Sequence, residues 1–288
     1  MLYFASGESL YPGVGLLIFA AVMLHFRTPK WFAHVRTAAT WVGIAMIVMA
    51  SPPVSWIAVT FLAIAFLLWL IACRPSRVAS QTTVQILTSC ALLALVLALF
   101  VSEYLHRRTP KQFSQTDDHL VVIGDSISAG LSDSASAWPA IMQTAIGNEV
   151  KNVSKAGATV ADGLAMADQI RPEDHLILIE LGGNDLLSGE PSGTFACDLE
   201  RLIAKIAVPN RSIVMFELPL IPPTITYGQA QRRIAAKYGV VLIPKRFLVE
   251  ALSGRDATSD GLHLTKAGAR RMAAIVAKII LPVLKQHS

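Results

Sequence analysis

Charged residues are scarce in this chain. Asp, Glu, Lys and Arg make up 16% of 288 residues against 53% hydrophobic ones, and the mean hydropathy is +0.51. A soluble globular domain carries about 25% charged residues, so part of this chain is suited to lipid. Acids are almost missing from residues 1–111, which hold eight Lys/Arg against Glu8 and Glu103 for a net charge of +6; residues 112–288 hold seventeen against eighteen, for −1. The basic excess therefore belongs to the first part alone. The later part has no surplus of Lys and Arg with which to track phosphates, which argues against nucleic acid as a partner.

Cysteine is equally sparse. Cys73, Cys90 and Cys197 stand far apart, with no CxxC pair and no zinc-ligand spacing, which excludes a disulfide framework and a structural zinc site. Basic residues are absent from Met1 to Gly15, so the N-terminus lacks the basic region of a secretory signal peptide, and no cleavage is expected. Within the apolar runs His25 and Glu103 stand only at the ends, which leaves nothing to suggest a transport pathway. No internal repeat or low-complexity tract is present.

What the first part does have is long apolar runs: Leu10–Phe26, Ala38–Ala50, Val54–Cys73 and Thr83–Leu105. A membrane span needs about 20 residues and at least about 17. The third and fourth runs meet that readily, the first is adequate and the second is short. Ser51-Pro52-Pro53 reads as a tight turn between the second and third. The expectation is an all-α membrane region of four spans over residues 1–106, a linker over 107–118 and a separate domain over 119–288, with the lipid bilayer as one partner. Arg27, Lys30, Arg36, Arg74 and Arg77 fall in the loops on one side, and Arg107, Arg108 and Lys111 on the other. The positive-inside rule then puts both chain ends, and the domain, outside the cytoplasmic membrane.

The part from residue 119 on alternates strand and helix patterns. Strands are expected at 119–123, 149–153, 175–180, 212–217 and 239–243, and helices at 137–146, 160–169, 194–207, 229–238 and 266–284. Such alternation implies right-handed βαβ units around a parallel sheet covered on both faces. The predicted fold is α/β, a three-layer α/β/α sandwich with a five-stranded parallel sheet.

Four stretches of this part bear on chemistry. Leu120–Ser132, LVVIGDSISAGLS, is an apolar strand that breaks at Gly124 and puts Ser126 at its carboxyl end, the edge of an open α/β sheet where ligands bind. It is not the G-x-S-x-G elbow, because Ser128 stands where the second glycine would be. Val150–Val153 leads through Ser154-Lys155-Ala156 to Gly157, whose backbone N–H is a candidate oxyanion donor. Leu176–Ile179 leads to Leu181-Gly182-Gly183-Asn184-Asp185, which brings the Asn184 amide to the same edge. Ser259-Asp260-Gly261-Leu262-His263 puts a carboxylate three residues before a histidine, close enough in a tight turn for Asp260 to take the Nδ1 proton. A serine hydroxyl becomes a nucleophile only when such an oriented base accepts its proton. Taken singly, each stretch has a plain reading as a helix cap or a surface turn; their joint occurrence favours catalysis.

GDSISAG, NVSKAG, GGND and DGLH, in that order, resemble the four signature blocks of the SGNH or GDSL hydrolase superfamily. GDSISAGLSDSASAWPAIM and IELGGND are similar to its bacterial thioesterase/lysophospholipase branch, and the resemblance runs from about His119 onward. It implies Ser126 as nucleophile, His263 as base and Asp260 as its orienter. It further implies an oxyanion hole from the Ser126 and Gly157 N–H groups and the Asn184 side chain, with Asp125 and Gly183 in support, and neither metal nor cofactor. The expected activity is that of a membrane-anchored serine esterase acting on a lysophospholipid, another acyl ester or an acetylated glycan. An acyltransferase of the same fold serving an envelope glycan is the alternative, and a non-catalytic membrane scaffold or glycan-binding protein a second. The stretch from Leu105 to Leu120 reaches at most about 50 Å, which favours a substrate met at the membrane surface.

Ser126→Ala is expected to remove nearly all ester hydrolysis while leaving the fold intact. His263→Ala should be about as severe, because members of a triad act as a unit. Turnover of a chromogenic ester checks both, and wild-type rates in either variant would end the assignment.

Overall fold

The computed structural model describes residues 1–26, 29–73, 81–108, 110, 119–130 and 136–280. Arg27, Arg74, Arg77, Lys111, most of the expected linker, Leu131-Ser132 and the end of the last expected helix lie outside the described residues. Backbone packing divides the chain into two units, one up to Arg108 and one from Thr109 on.

The first unit is helical: α1 (Leu2–Ala5), α2 (Leu10–Met23), α3 (Phe32–Met49), α4 (Trp56–Ala72) and α5 (Gln81–His106). Two stretches are long and apolar enough to cross a membrane, Phe32–Met49 and Thr82–His106, and only 17% and 22% of them is buried. Their apolar side chains therefore face outward rather than into a core, as Trp41, Val48, Leu87 and Leu97 do. Helices α2 and α4 are as apolar but have 14 and 17 residues, short of the usual span. The expectation of four spans is corrected to two helices that meet the criterion. The run that looked shortest is one of them, because α3 recruits the half-polar turn Phe32-Ala33-His34-Val35-Arg36 and reaches 18 residues. By contrast α4 begins only after its Ser55 cap and stops at Ala72. Helices α2 and α3 touch backbone to backbone, since a Cβ on either Gly13 or Gly43 would lie 2.9 Å from the other's carbonyl oxygen. Small residues are what permit such an approach.

The second unit is an α/β sandwich. Strands β1 (His119–Gly124), β2 (Glu149–Asn152), β3 (Leu176–Glu180), β4 (Ser212–Phe216) and β5 (Val241–Ile243) form one parallel sheet in the order β2-β1-β3-β4-β5. Strand side chains alternate between faces, and both faces here are apolar. Val121, Ile123, Ile177, Ile179, Ile213 and Met215 meet one helical layer, made by α8 (Val160–Met166), α10 (Ser192–Ile206) and α11 (Ile225–Tyr238). Leu120, Val122, Leu176, Leu178, Val214 and Phe216 meet the other, made by α7 (Trp138–Ile146), α12 (Lys245–Leu252) and α13 (Lys266–Ile280). Each such side chain, taken fully out of water, contributes roughly 1.5–3 kcal/mol. On α10 the buried set Phe195, Leu199, Leu202, Ile203 and Ile206 repeats every three or four residues, one stripe of a helix laid on the sheet. Two short helices complete the unit, α6 (Ser126–Ala129) and α9 (Gly183–Ser188).

The chain from Ala257 to Thr265 folds back on itself before α13. Thr258 and Leu264 form an antiparallel bridge, and Thr265 N–H donates to Ala257 O at 3.0 Å. Gly268 sits on that carbonyl so closely that a Cβ there would lie 2.0 Å from Ala257 O. Gly268→Ala is expected to destabilise the second unit by about 1–3 kcal/mol through overpacking. The lowered urea midpoint should be accompanied by reduced turnover, because the displaced segment carries Asp260 and His263.

Candidate active site

In the order β2-β1-β3, the first strand made is flanked by the next two. Open α/β sheets bind ligands at the carboxyl edge where successive connections diverge to either side, and here that point lies between β1 and β3. The loops after β1, β2 and β3 carry Ser126, Gly157 and Asn184 respectively.

Asp125 caps α6: its Oδ1 accepts the Ile127 N–H at 2.9 Å, which leaves Ser126 as the first residue of the helix. The first N–H groups of a helix have no acceptor within it, and that of Ser126 is one of them. Gly124 must lack a side chain, because a Cβ there would lie 2.6 Å from the Ser128 Oγ. Gly157 occupies the third place of the turn Lys155–Ala158, closed by Ala158 N–H to Lys155 O at 3.1 Å. Its φ of +76° is one that glycine adopts without strain. The turn is secured to α9 by Asp185, whose buried carboxylate accepts the Val160 N–H at 3.0 and 3.3 Å.

Asn184 lies in the first turn of α9, after Gly182 at φ +109°. A side chain at Gly182 would strike Phe195 and Leu218, and one at Gly183 would come within 3.2 Å of Asp125 Oδ2. Gly183 thus lets the β3 turn press against the β1 turn, while Gly182 makes room for Phe195 and Leu218. The Asn184 Nδ2 donates to Ala158 O at 2.9 Å and to Asp125 Oδ2 at 3.3 Å, so this one amide bridges all three loops.

Asp260 and His263 meet within their own turn, Nδ1 to Oδ2 at 2.6 Å, while the Asp260 Oδ1 accepts the N–H groups of Leu262 and His263 at 2.9 and 2.8 Å. Those N–H groups, with the imidazole, hold the Asp260 carboxyl well below the usual carboxylate range. It stays ionised and fixes the tautomer that carries hydrogen on Nδ1, so the imidazole Nε2 is the acceptor. His263 also lies within electrostatic reach of Asp125 and lowers its pKa, against the larger upward push of burial.

Several neighbours were not singled out from the sequence. Glu180, at the end of β3, accepts the Ser128 hydroxyl at 2.8 Å, and Ser128 in turn accepts the Trp138 indole N–H at 3.0 Å. Asn152 donates to Ser128 O at 2.8 Å. The available signal was a lone acid closing an otherwise apolar strand, LILIE. Among apolar residues of the neighbouring segments, Leu218 and Leu220 are core residues, whereas Leu187 is 64% exposed. Among the described residues no group of three His, Cys, Asp or Glu side chains is placed to hold a metal ion.

Residues 122–271, just over half of the chain, match the GDSL-like Lipase/Acylhydrolase family. The chain belongs to that family. This GDSL hydrolase is 30% identical over 181 residues to the esterase TesA of Pseudomonas aeruginosa, covering 57% of this chain and 89% of that protein. It is 36% identical over 170 residues to an arylesterase of Vibrio mimicus, covering 52% and 82%. A third relative, thioesterase 1/protease 1/lysophospholipase L1 of Escherichia coli, is 28% identical over 186 residues, covering 59% and 87%. The crystal structure of TesA superposes with a TM-score of 0.52 at 29% identity, covering 58% of this chain and 99% of that one. The GDSL hydrolase is thus a serine hydrolase of the esterase type.

Asn184→Ala should lower kcat by about a hundredfold, the weight of one oxyanion donor, with little change in KM. A pure KM effect would instead assign the amide to ground-state binding.

Proposed function

We propose that this chain is a membrane-anchored esterase that cleaves an acyl ester at the cell envelope through an acyl-enzyme on Ser126. Oxygen Oγ of Ser126 attacks the ester carbonyl as its proton passes to Nε2 of His263. The bond to the leaving alcohol then breaks, and that proton goes to the departing oxygen. Water, deprotonated by the same nitrogen, cleaves the acyl-serine to release the acid and restore the hydroxyl. The oxyanion formed in each half is met by the N–H groups of Ser126 and Gly157 and by Asn184, whose longer contact to Asp125 is the one that yields.

The observation that carries this reading is the Asn184 bridge, which gathers the Ser126 and Gly157 loops, together with the Asp260–His263 pair at 2.6 Å. An apolar acyl group is favoured by Leu187 and Leu262, which are 64% and 46% exposed and flank Asn184 and His263 in sequence. Anchoring is supported by the outward apolar surface of α3 and α5, with the shorter α2 and α4 completing the bundle. With α2 and α4 also taken as crossing, the loop charges favour an exterior hydrolase unit.

The test has two parts. Purified chain should be labelled by a fluorophosphonate probe at Ser126 and should turn over an acyl ester at a rate that an added sugar acceptor leaves unchanged. Acceptor-dependent product would make it a transferase instead. The exposed Cys197, left as the sole thiol by Cys73→Ser and Cys90→Ser, should react with an impermeant maleimide in intact spheroplasts. Labelling only after lysis would overturn the exterior site.

A further inference from the structure

We propose that Glu180 is a positioning residue of this site that acts as a neutral carboxylic acid, donating its proton in a hydrogen bond to Asp125 and so holding the Ser126 turn and the Asn184 turn in register. The proposal rests on the serine-esterase reading above.

Glu180 and Asp125 are 4% and 3% exposed, at the ends of adjacent strands, and the Asp125 N–H donates to Glu180 O at 3.1 Å. The two carboxyl groups lie within hydrogen-bonding reach of each other. Two carboxylates have no hydrogen to share, so such a bond requires a proton on one of them. The surrounding donors decide which one. An indole N–H can only donate, so with Trp138 giving its N–H to the Ser128 oxygen, the single Ser128 hydrogen is the one that reaches Glu180 Oε2 at 2.8 Å. That leaves Oε1 to carry the proton toward Asp125.

Asp125, by contrast, is built as an acceptor. It takes the Ile127 N–H on Oδ1 and the Asn184 amide on Oδ2, and it lies within electrostatic reach of His263. These groups favour its anion, whereas the donors to the Glu180 side chain are neutral, the Ser128 hydroxyl and the Asp125 N–H. Burial, and then the charge of Asp125, push Glu180 well above the usual carboxylate range, in accord with that placement. The charged groups facing the pair are Asp185 and His263, both acting on Asp125; from α7 it is the neutral Trp138 that reaches the network. When Glu180 loses its proton at high pH, two adjacent anions repel across the strand ends. The turns bearing Ser126 and Asn184 then lose their common support.

Glu180→Gln separates the proton from the shape, since its amide oxygen accepts from Ser128 and its amide N–H donates to Asp125, yet it cannot ionise. Its kcat at neutral pH should stay within about threefold of wild type, the weight of one imperfect hydrogen bond. The alkaline decline of the wild type should be absent from this variant. Glu180→Ala should lower kcat about tenfold at similar KM, a fraction of what an oxyanion donor is worth. An infrared difference spectrum of wild type minus Glu180→Gln at neutral pH should contain the carbonyl band of a protonated carboxylic acid. Absence of that band, an unchanged alkaline decline in Glu180→Gln, or a Gln variant as impaired as the Ala variant would each overturn the proposal. If Glu180→Ala does not fold, the Gln variant and the band decide alone. Fluorophosphonate labelling keeps the two readings apart: an unlabelled wild type removes the esterase reading, while the band still reports the proton on Glu180.

Discussion

One buried carboxylate ties the site together. Asp125 accepts hydrogen bonds from the helix it caps and from the amide of the third loop, and its backbone N–H reaches the neighbouring strand. Removing such a group from water is costly unless its acceptor sites are filled. The loops that supply Ser126 and Asn184 are therefore drawn together by the need to satisfy Asp125. Close approach is the second half of the same constraint, and it explains why Gly183, beside the Asp125 carboxylate, has no side chain.

Around that junction, rigid and mobile needs are divided between different parts of the fold. Three loops are anchored by buried side chains on the sheet edge, whereas the Asp260–His263 turn is exposed and is organised by its own backbone through the Asp260 carboxylate. The imidazole is thus held by a local device that does not depend on the sheet. Its connection to the rest is through α13, whose start is set by the contact of Gly268 with Ala257.

Strands such as β1 and β3 were legible because the uninterrupted apolar runs LVVI and LILI admit few other readings in a domain of this kind, and the candidate site residues stood out because turns rich in Gly, Asp and Asn follow those runs. Edges were less legible. Strand β5 starts at Val241 rather than 239 because Gly239 takes the left-handed conformation that ends α11, and β2 stops at Asn152, whose side chain accepts the Ser154 N–H. Helix α12 is only eight residues long and opens directly after Pro244, too brief for its periodicity to stand out. Helix α9 is missing from the expected helices because it has only six residues and opens at Gly182 and Gly183. Glu180 and Ser128 were not legible as partners at all, since they are 52 residues apart and meet only because β3 lies beside β1. In the first unit, apolar run length misjudged α3 and α4 for a common reason: helix ends are set by caps and turns rather than by where hydrophobicity stops.

The strand order also carries a timetable. Strand β1 is synthesised first and lies inside the sheet; β2 adds to one side, β3 to the other, and β4 and β5 follow outward, so each new strand finds an edge already waiting. The hydroxyl of Ser126 and the amide of Asn184 come into being early in that sequence. The imidazole is made after all five strands, on the segment leading into α13, which packs back against α7 and α12. A nascent chain therefore carries Ser126 through all the later strands before His263 is made. On the triad reading proposed above, hydrolytic power arrives only with the closing segment, after all five strands have been made.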